Sequence, residues 1–421
     1  MLQNTYFCGN DFYFLKTITI MSISIHTLTS SLHHEAAIKK ETADFFADFN
    51  FQFTCYEEDF THYGEADLHL IYVRTGGTEG LMKALLPTML NQSNRPFYLL
   101  TSGKSNSLAA SMEILSYLQQ NKLKGEIIHG DKTYINSRIH ELHRVESARK
   151  ALHGKRFGVI GAPSDWLIAS MASSVALKSK LGIELVNIEI QEVLTSLKTV
   201  HQQPAECETL AQLAPCSEIK NAVPGAIKLY HALKEVATRH QLSGFTIRCF
   251  DLLGAVHNTG CYALAQLNAE GIIAGCEGDV PTMITMAIVR ELTDVSGFQA
   301  NPSRINPTTG ELLLAHCTIP LNMVQRYELD THFESGIGIG IRGYMEEGPV
   351  TICKASGDLS RFVALEATLK KNLSEPNLCR TQQVLQVINP RQTDYFLKSP
   401  IGNHHVIAPG HIAPLFTALL E

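Results

Sequence analysis

Leu68-His69-Leu70-Ile71-Tyr72-Val73 runs directly into Arg74-Thr75-Gly76-Gly77-Thr78-Glu79, and this junction decides the fold class. The first six residues read as a buried strand, the glycine pair as a tight turn, and Gly80 to Leu90 as a helix. The pattern then repeats: strand Phe97 to Thr101, small-residue loop Ser102-Gly103-Lys104-Ser105, helix through Gln119. Strand, glycine turn and helix in succession is the signature of a parallel sheet covered by helices. Ligands of such sheets gather at the carboxyl ends of the strands, where both loops lie.

A second unit of the same kind begins after the basic stretch at residues 144–156. Its expected elements are strand 156–163, helix 165–181, strand Leu185 to Ile190, helix 225–239, strand Phe245 to Asp251, helix 259–269 and strand Gly271 to Gly275. From about residue 297 the helical period fades, and β-branched runs with glycine turns take over (Ile305 to Pro320, Val350 to Ala355). The reading is therefore α/β: two doubly wound Rossmann-like α/β domains, at 21–152 and 153–296, followed by a mainly antiparallel, barrel-like β domain at 297–421. Residues 1–20 read as an upstream extension, with Met21 the expected start.

Composition narrows the function classes. The 421 residues carry 35 Lys plus Arg against 41 Asp plus Glu, a formal charge of -6, which offers no basic excess for a phosphate backbone and argues against nucleic acid. Apolar residues make up 45%, the proportion of a globular chain. No run of eighteen apolar residues exists, so no membrane span is expected. None of the 10 cysteines forms a CxxC pair, and several sit in apolar runs as reduced thiols do, which suits a cytoplasmic location. Gly338-Ile339-Gly340-Ile341-Arg342-Gly343 matches GxGxxG but lacks the strand before and helix after that a pyrophosphate site requires, so no nucleotide cofactor is expected.

The most informative stretch is Ala274-Gly275-Cys276-Glu277-Gly278-Asp279-Val280-Pro281-Thr282-Met283. A buried strand ends at Gly275, and Pro281 opens a helix to about Leu292 with Asp279 as its N-cap. Glu277, in an apolar context at a strand's carboxyl end, suits a general base or a metal ligand. Downstream, His316 interrupts the apolar run Leu312 to Pro320, where alone it would read as a packing residue. Ile401-Gly402-Asn403-His404-His405 places a histidine pair after a glycine turn. Jointly, a buried carboxylate, a buried histidine and a loop histidine pair make an O/N site suited to Mn²⁺, Fe²⁺, Co²⁺ or Zn²⁺. Trp166, the only tryptophan, could stack on a ligand ring or serve in a core or interface.

EGDVPTM after a strand, AHCTIP and GNHH, together with the VRTGGTE and TSGKSNS loops, resemble the L-fucose isomerase/L-arabinose isomerase superfamily over most of the chain from Met21 onward. The resemblance implies an enzyme that interconverts an aldose and a ketose through an enediol with a divalent metal, usually Mn²⁺. It implies metal ligands at Glu277, His316 and the His404/His405 pair, with His404 favoured and His405 left to contact substrate. It also implies substrate contacts from Thr75, Ser102 and Lys104, and a trimer or hexamer. Where the superfamily has a second carboxylate this chain has Asn301, which can ligate a metal but cannot act as a base. Arg304 beside it reads either as a solvated arginine or as an anion anchor, since a guanidinium fork holds a carboxylate, phosphate or sulfonate, which would suggest an acidic or phosphorylated sugar. Two further readings stay open: a sugar-binding or regulatory relative without turnover, and an epimerase or lyase using the same site.

Overall fold

A computed structural model describes residues 22–201 and 203–421; the expected extension at 1–20 and start at Met21 lie outside the described residues. Residues 22–147 form one compact unit and residues 148–421 another.

The first unit holds strands β1 (Ile23–Leu28), β2 (Thr54–Glu57), β3 (Leu68–Val73), β4 (Phe97–Leu100) and β5 (Gly125–Ile128). They form one parallel sheet in the order β2-β1-β3-β4-β5. Helices α1 (Glu35–Phe46), α2 (Glu79–Gln92), α3 (Ser107–Gln120) and α4 (Lys132–Leu152) make the connections, the last running into the second unit. Strands β1 and β3 are buried at every residue, as both-face coverage of a parallel sheet demands. The strand–turn–helix reading at residues 68–90 and 97–119 is what the chain adopts.

The second unit opens with β6 (Arg156–Ile160), α5 (Ser174–Leu181), β7 (Glu184–Ile188), α6 (Ile190–Thr199), α7 (Pro204–Ala211), α8 (Ser217–Arg239), β8 (Gly244–Ile247), α9 (Asp251–Val256), α10 (Cys261–Ala269) and β9 (Ile273–Gly275). Its four strands are parallel in the order β7-β6-β8-β9. Three expectations need correction. The helix expected at 165–181 begins only at Ser174, where Ser173 accepts a bond from the Ala176 amide as N-cap; residues 161–172 form a loop of turns instead. The strand expected to reach Ile190 stops at Ile188, and Ile190 already starts α6. The strand expected to reach Asp251 stops at Ile247, and Asp251 starts α9.

Helix α11 (Val280–Thr293) follows, buried at all but a few residues of its last turns. A helix apolar around its whole circumference belongs between layers, and α11 packs against both β9 and the strands β14 and β17 defined below. Strands β10 (Phe298–Asn306), β11 (Glu311–His316), β12 (Arg326–Asp330), β13 (Gly340–Tyr344), β14 (Gly348–Ala355), β15 (Phe362–Asn372), β16 (Thr381–Val387) and β17 (His405–Pro409) complete the chain with helices α12 (Asp394–Lys398) and α13 (Ala413–Leu420). Six of these strands close into an antiparallel barrel, β10-β11-β16-β15-β14-β17. Its core of Phe298, Leu312, Leu314, Ile352, Leu385 and Ile407 is continuous with Ile219, Val223 and Ile227 of α8. The GxGxxG stretch lies at β13, paired only with β12, and Gly338 packs on Thr259, whose amide would lie 2.8 Å from an added Cβ. Close approach, rather than a pyrophosphate turn, accounts for that glycine. Among the described residues no helix is long and apolar enough to cross a membrane.

Candidate metal centre

The site is built on the turn between β9 and α11. Glu277 adopts a left-handed backbone conformation with φ of 63°, and Gly278 follows at 72°. The turn is pinned from three sides. The Gly278 amide donates to Ile247 O at 2.9 Å, Glu277 O accepts from the Ser164 amide at 2.9 Å, and Gln299 of β10 accepts from the Cys276 amide at 2.9 Å. A Cβ on Gly278 would come within 2.5 Å of Ala162 O, so only glycine fits there. Asp279 caps α11 as expected, its Oδ1 accepting from the Thr282 amide at 2.9 Å.

Three elements then deliver one donor each: the turn gives Glu277, the end of β11 gives His316, and the loop before β17 gives His404. Their ligand atoms lie within 4.8 Å of one another. Glu277 Oε1 stands 3.4 Å from His404 Nε2 and 3.6 Å from His316 Nε2. His404 Nδ1 donates to Asp279 Oδ2 at 2.9 Å, leaving Nε2 buried without a hydrogen-bond partner; His316 Nδ1 is likewise unpartnered. A histidine held through one ring nitrogen by a carboxylate, with the other nitrogen aimed at open donors, is the arrangement in which a protein orients a metal ligand. One carboxylate and two imidazoles suit a borderline divalent cation, so the residues present fit the metal the sequence suggested.

The charges of these residues depend on one another, and a metal would have to displace the His404 proton. Burial pushes the Glu277 carboxyl up, but His316 and His404 outweigh it and hold it well below the usual carboxylate range. Burial opposes the charge on Asp279 too; the Lys354 ammonium and His404 keep it ionised. His404, which burial alone would lower, is raised to about 9 by Asp279 and Glu277. Lys354 of β14 is completely buried, its Nζ donating to Thr282 Oγ1 at 2.6 Å and standing 3.5 Å from Asp279 Oδ2. Burial lowers its pKa against the pull of Asp279. A line of alternating charge, Lys354–Asp279–His404–Glu277, thus runs from the interior to the open donors.

The structure therefore brings Glu277, His316 and His404 together. It turns His405 toward Tyr395, whose hydroxyl lies 2.9 Å from Nε2, and toward Asn403 O. Asn301 lies on β10 opposite Ala315, half-buried. Arg304 is 61% exposed and pairs with Glu375 at 2.7 Å, the solvated arrangement of the two considered. Thr75, Ser102 and Lys104 belong to the first unit, where Thr75 Oγ1 accepts from the Ser30 amide and Ser102 Oγ from the Lys104 amide. Two participants escaped sequence reasoning, and a third, Trp166, was read for other roles. Lys354 had a visible signal, a lone charge inside the apolar run Val350 to Ala355. Gln299 had none. Trp166, considered as a stacking ring, instead donates its indole N–H to Glu277 Oε2 at 2.6 Å, with its ring edge-on to Phe250 and half of its surface exposed.

No known protein-family model matches the chain. It is similar to curated proteins named sulfoquinovose isomerase: that of Alkalicoccus urumqiensis, 22% identical over 219 residues, 50% of this chain and 49% of that protein; that of Priestia megaterium, 22% over 262 residues, 60% and 59%; and that of Clostridium sp. (strain MSTE9), 23% over 220 residues, 50% and 48%. The chain thus spans about half to three fifths of the length of these relatives.

Proposed function

We propose that the chain is a divalent-metal-dependent aldose–ketose isomerase that acts on an open-chain sugar through a cis-enediol, with a sulfonated sugar as its substrate class. The observation that carries the reaction type is the His404 arrangement: a buried Nε2 without a partner, fixed by Asp279, beside Glu277 and His316. The relatives' shared name supports the isomerase class and supplies the sulfonated sugar. Bound to these three residues, Mn²⁺ or another divalent cation supplies Lewis acidity for the charge that develops on the two reacting oxygens.

The chain's own residues do the rest. Glu277 takes a proton from one of the two carbons and returns it to the other. Its carboxylate is held in rotation by the Trp166 indole on Oε2, which leaves Oε1 facing the histidines. The depression of its pKa comes from His316 and His404, and a bound divalent cation would favour the ionised carboxylate in the same sense, so Glu277 stands ready to accept a proton. Asn301 cannot share the proton, so transfer falls to Glu277, alone or with water or a histidine. A homo-oligomer, trimer or hexamer, belongs to the same reading, and light scattering of the purified chain measures it.

The test is to strip the protein, reload it with Mn²⁺ and incubate it in D₂O with sulfoquinovose and a panel of neutral, acidic and phosphorylated aldoses. Deuterium at C2 together with a ketose product, both lost in Glu277→Gln, is the expected result. A C2 epimer or a cleaved fragment would assign the site to an epimerase or lyase. Metal uptake with no exchange on any sugar would overturn turnover and leave a binding relative, the reading that the uncharged Asn301 favours.

A further inference from the structure

The first unit carries a feature that the metal centre does not use. Its strand order β2-β1-β3-β4-β5 reverses between β1 and β3, and in open parallel sheets the crevice at that reversal is where ligands bind. The residues leaving the two strands there are Thr29-Ser30 and Arg74-Thr75. Arg74 is 92% buried, being 8% exposed, yet it has no carboxylate partner among the described residues. Its Nη1 reaches across the reversal to Thr29 Oγ1 at 3.4 Å, the long limit of a hydrogen bond. Its Nε is sealed from solvent with no partner. Leaving a buried guanidinium unpaired is costly, and such a group calls for an explanation.

The surroundings indicate the missing partner. The Gly76 amide donates to Ser105 O at 2.8 Å, and a Cβ at Gly76 would lie 3.1 Å from that of Asn106. The Arg74 loop is therefore seated against the start of α3. That helix has 14 residues, no acid in its first turn, and an N-cap, Asn106, whose side chain makes no capping bond; its first amide, at Ser107, donates to Lys104 O at 2.9 Å, and this end carries the positive pole of the helix dipole. Lys104 stands exposed two residues before the cap. By contrast α2 carries Glu79 in its first turn, which partly neutralises that end. A planar guanidinium fork, a lysine and the positive end of a helix are complementary to a tetrahedral oxyanion.

We infer that the crevice between the carboxyl ends of β1 and β3 is an oxyanion-binding site, with Arg74 as its anchor and the start of α3 as its second wall, that takes the sulfonate or phosphate group of a small molecule. This goes beyond the isomerase reading: Arg74 and α3 have no part in it, while Lys104 beside them is one of the residues that the resemblance gave to substrate. The test uses the full-length, metal-stripped chain, titrated calorimetrically at constant ionic strength with sulfate, methanesulfonate, methyl phosphate and acetate. Saturable binding of the tetrahedral anions is expected, weakened about tenfold or more in Arg74→Met and less in Arg74→Lys. The tighter of methanesulfonate and methyl phosphate identifies which source of the chemistry the site prefers. Equal sulfate binding by wild type and Arg74→Met overturns the site, as does the absence of saturable binding. Should Arg74→Met not fold, hydrogen exchange on the wild type decides: sulfate must slow exchange at residues 74–78 and 103–108, and unchanged rates overturn it. Binding must also survive Glu277→Gln, so failure of the isomerase assay and failure of this site are separate results.

Discussion

Replacing Lys354 by methionine tests the buried line of charge directly. Methionine fills most of the space of the lysine stem, so little cavity is created, and the loss is electrostatic. Lys354 and Asp279 are both fully buried and stand 3.5 Å apart. Removing one member of a buried pair usually costs about 3–5 kcal/mol, because the survivor keeps an uncompensated charge. Here Asp279 retains the Thr282 amide at 2.9 Å and His404 at 2.9 Å, which places the expected loss at the lower end, about 3 kcal/mol. Were Lys354 neutral, only its bond to Thr282 would go, at about 1 kcal/mol. Urea unfolding of Lys354→Met, followed by far-ultraviolet dichroism and by Trp166 emission, separates the two. The double variant Lys354→Met/Asp279→Asn closes a cycle in which the pair should couple by about 1 kcal/mol or more. A single-variant loss within about 1 kcal/mol of zero, with no coupling, would refute the ion pair as the support of Asp279.

Asp279→Asn keeps a side-chain oxygen for the cap but loses the carboxylate behind His404, and should weaken Mn²⁺ binding by about 10–100-fold in a calorimetric titration; unchanged affinity would mean that Asp279 does not orient the histidine. Because Trp166 is the sole tryptophan and bonds Glu277, Mn²⁺ should change its fluorescence in the wild type but not in Glu277→Gln, and a silent wild type counts against metal at this carboxylate. In the first unit, burial foremost and the Arg95 charge next lower His69 to about 4. A depressed folded pKa means that stability is full above the unfolded value of about 6.5 and falls as pH drops toward 4, by up to about 3 kcal/mol. Hydrogen exchange at β1 and β3 between pH 7 and pH 4 measures this, and His69→Gln should flatten the slope; an unchanged slope in that variant would assign the loss to other groups.

The strands and the metal donors were legible in the sequence to different degrees and for physical reasons. Buried parallel strands such as Leu68–Val73 announce themselves because both faces are covered. Glu277 stood out because a carboxylate amid Ala274, Gly275 and Cys276 demands a partner, and Asp279 because a cap before Pro281 is a local pattern. What was not legible depends on approach between distant segments. Trp166 meets Glu277 from 111 residues away, and Lys354 meets Thr282 from 72; no spacing rule connects them. The helix expected from 165 failed because Pro163 and the pinning of Ser164 to Glu277 hold the chain in a loop until Ser173 can cap. Arg304, close in sequence to Asn301, was drawn outward by Glu375, 71 residues on.

The left-handed backbone at Glu277 is a local strain that the bonds of its own side chain hold in place. A side chain with a Cβ is held there at φ of 63°, a conformation that costs about 1–2 kcal/mol outside glycine, and its carboxylate is buried besides. Glycine would relax the backbone, but it would also take the acceptor from the Trp166 indole N–H and one of the two carboxylates from His404, and losing a member of a buried charge cluster costs more than that strain. A directed-evolution campaign that selected only for heat resistance would therefore gain nothing at position 277. Library designs on this scaffold should hold that codon fixed.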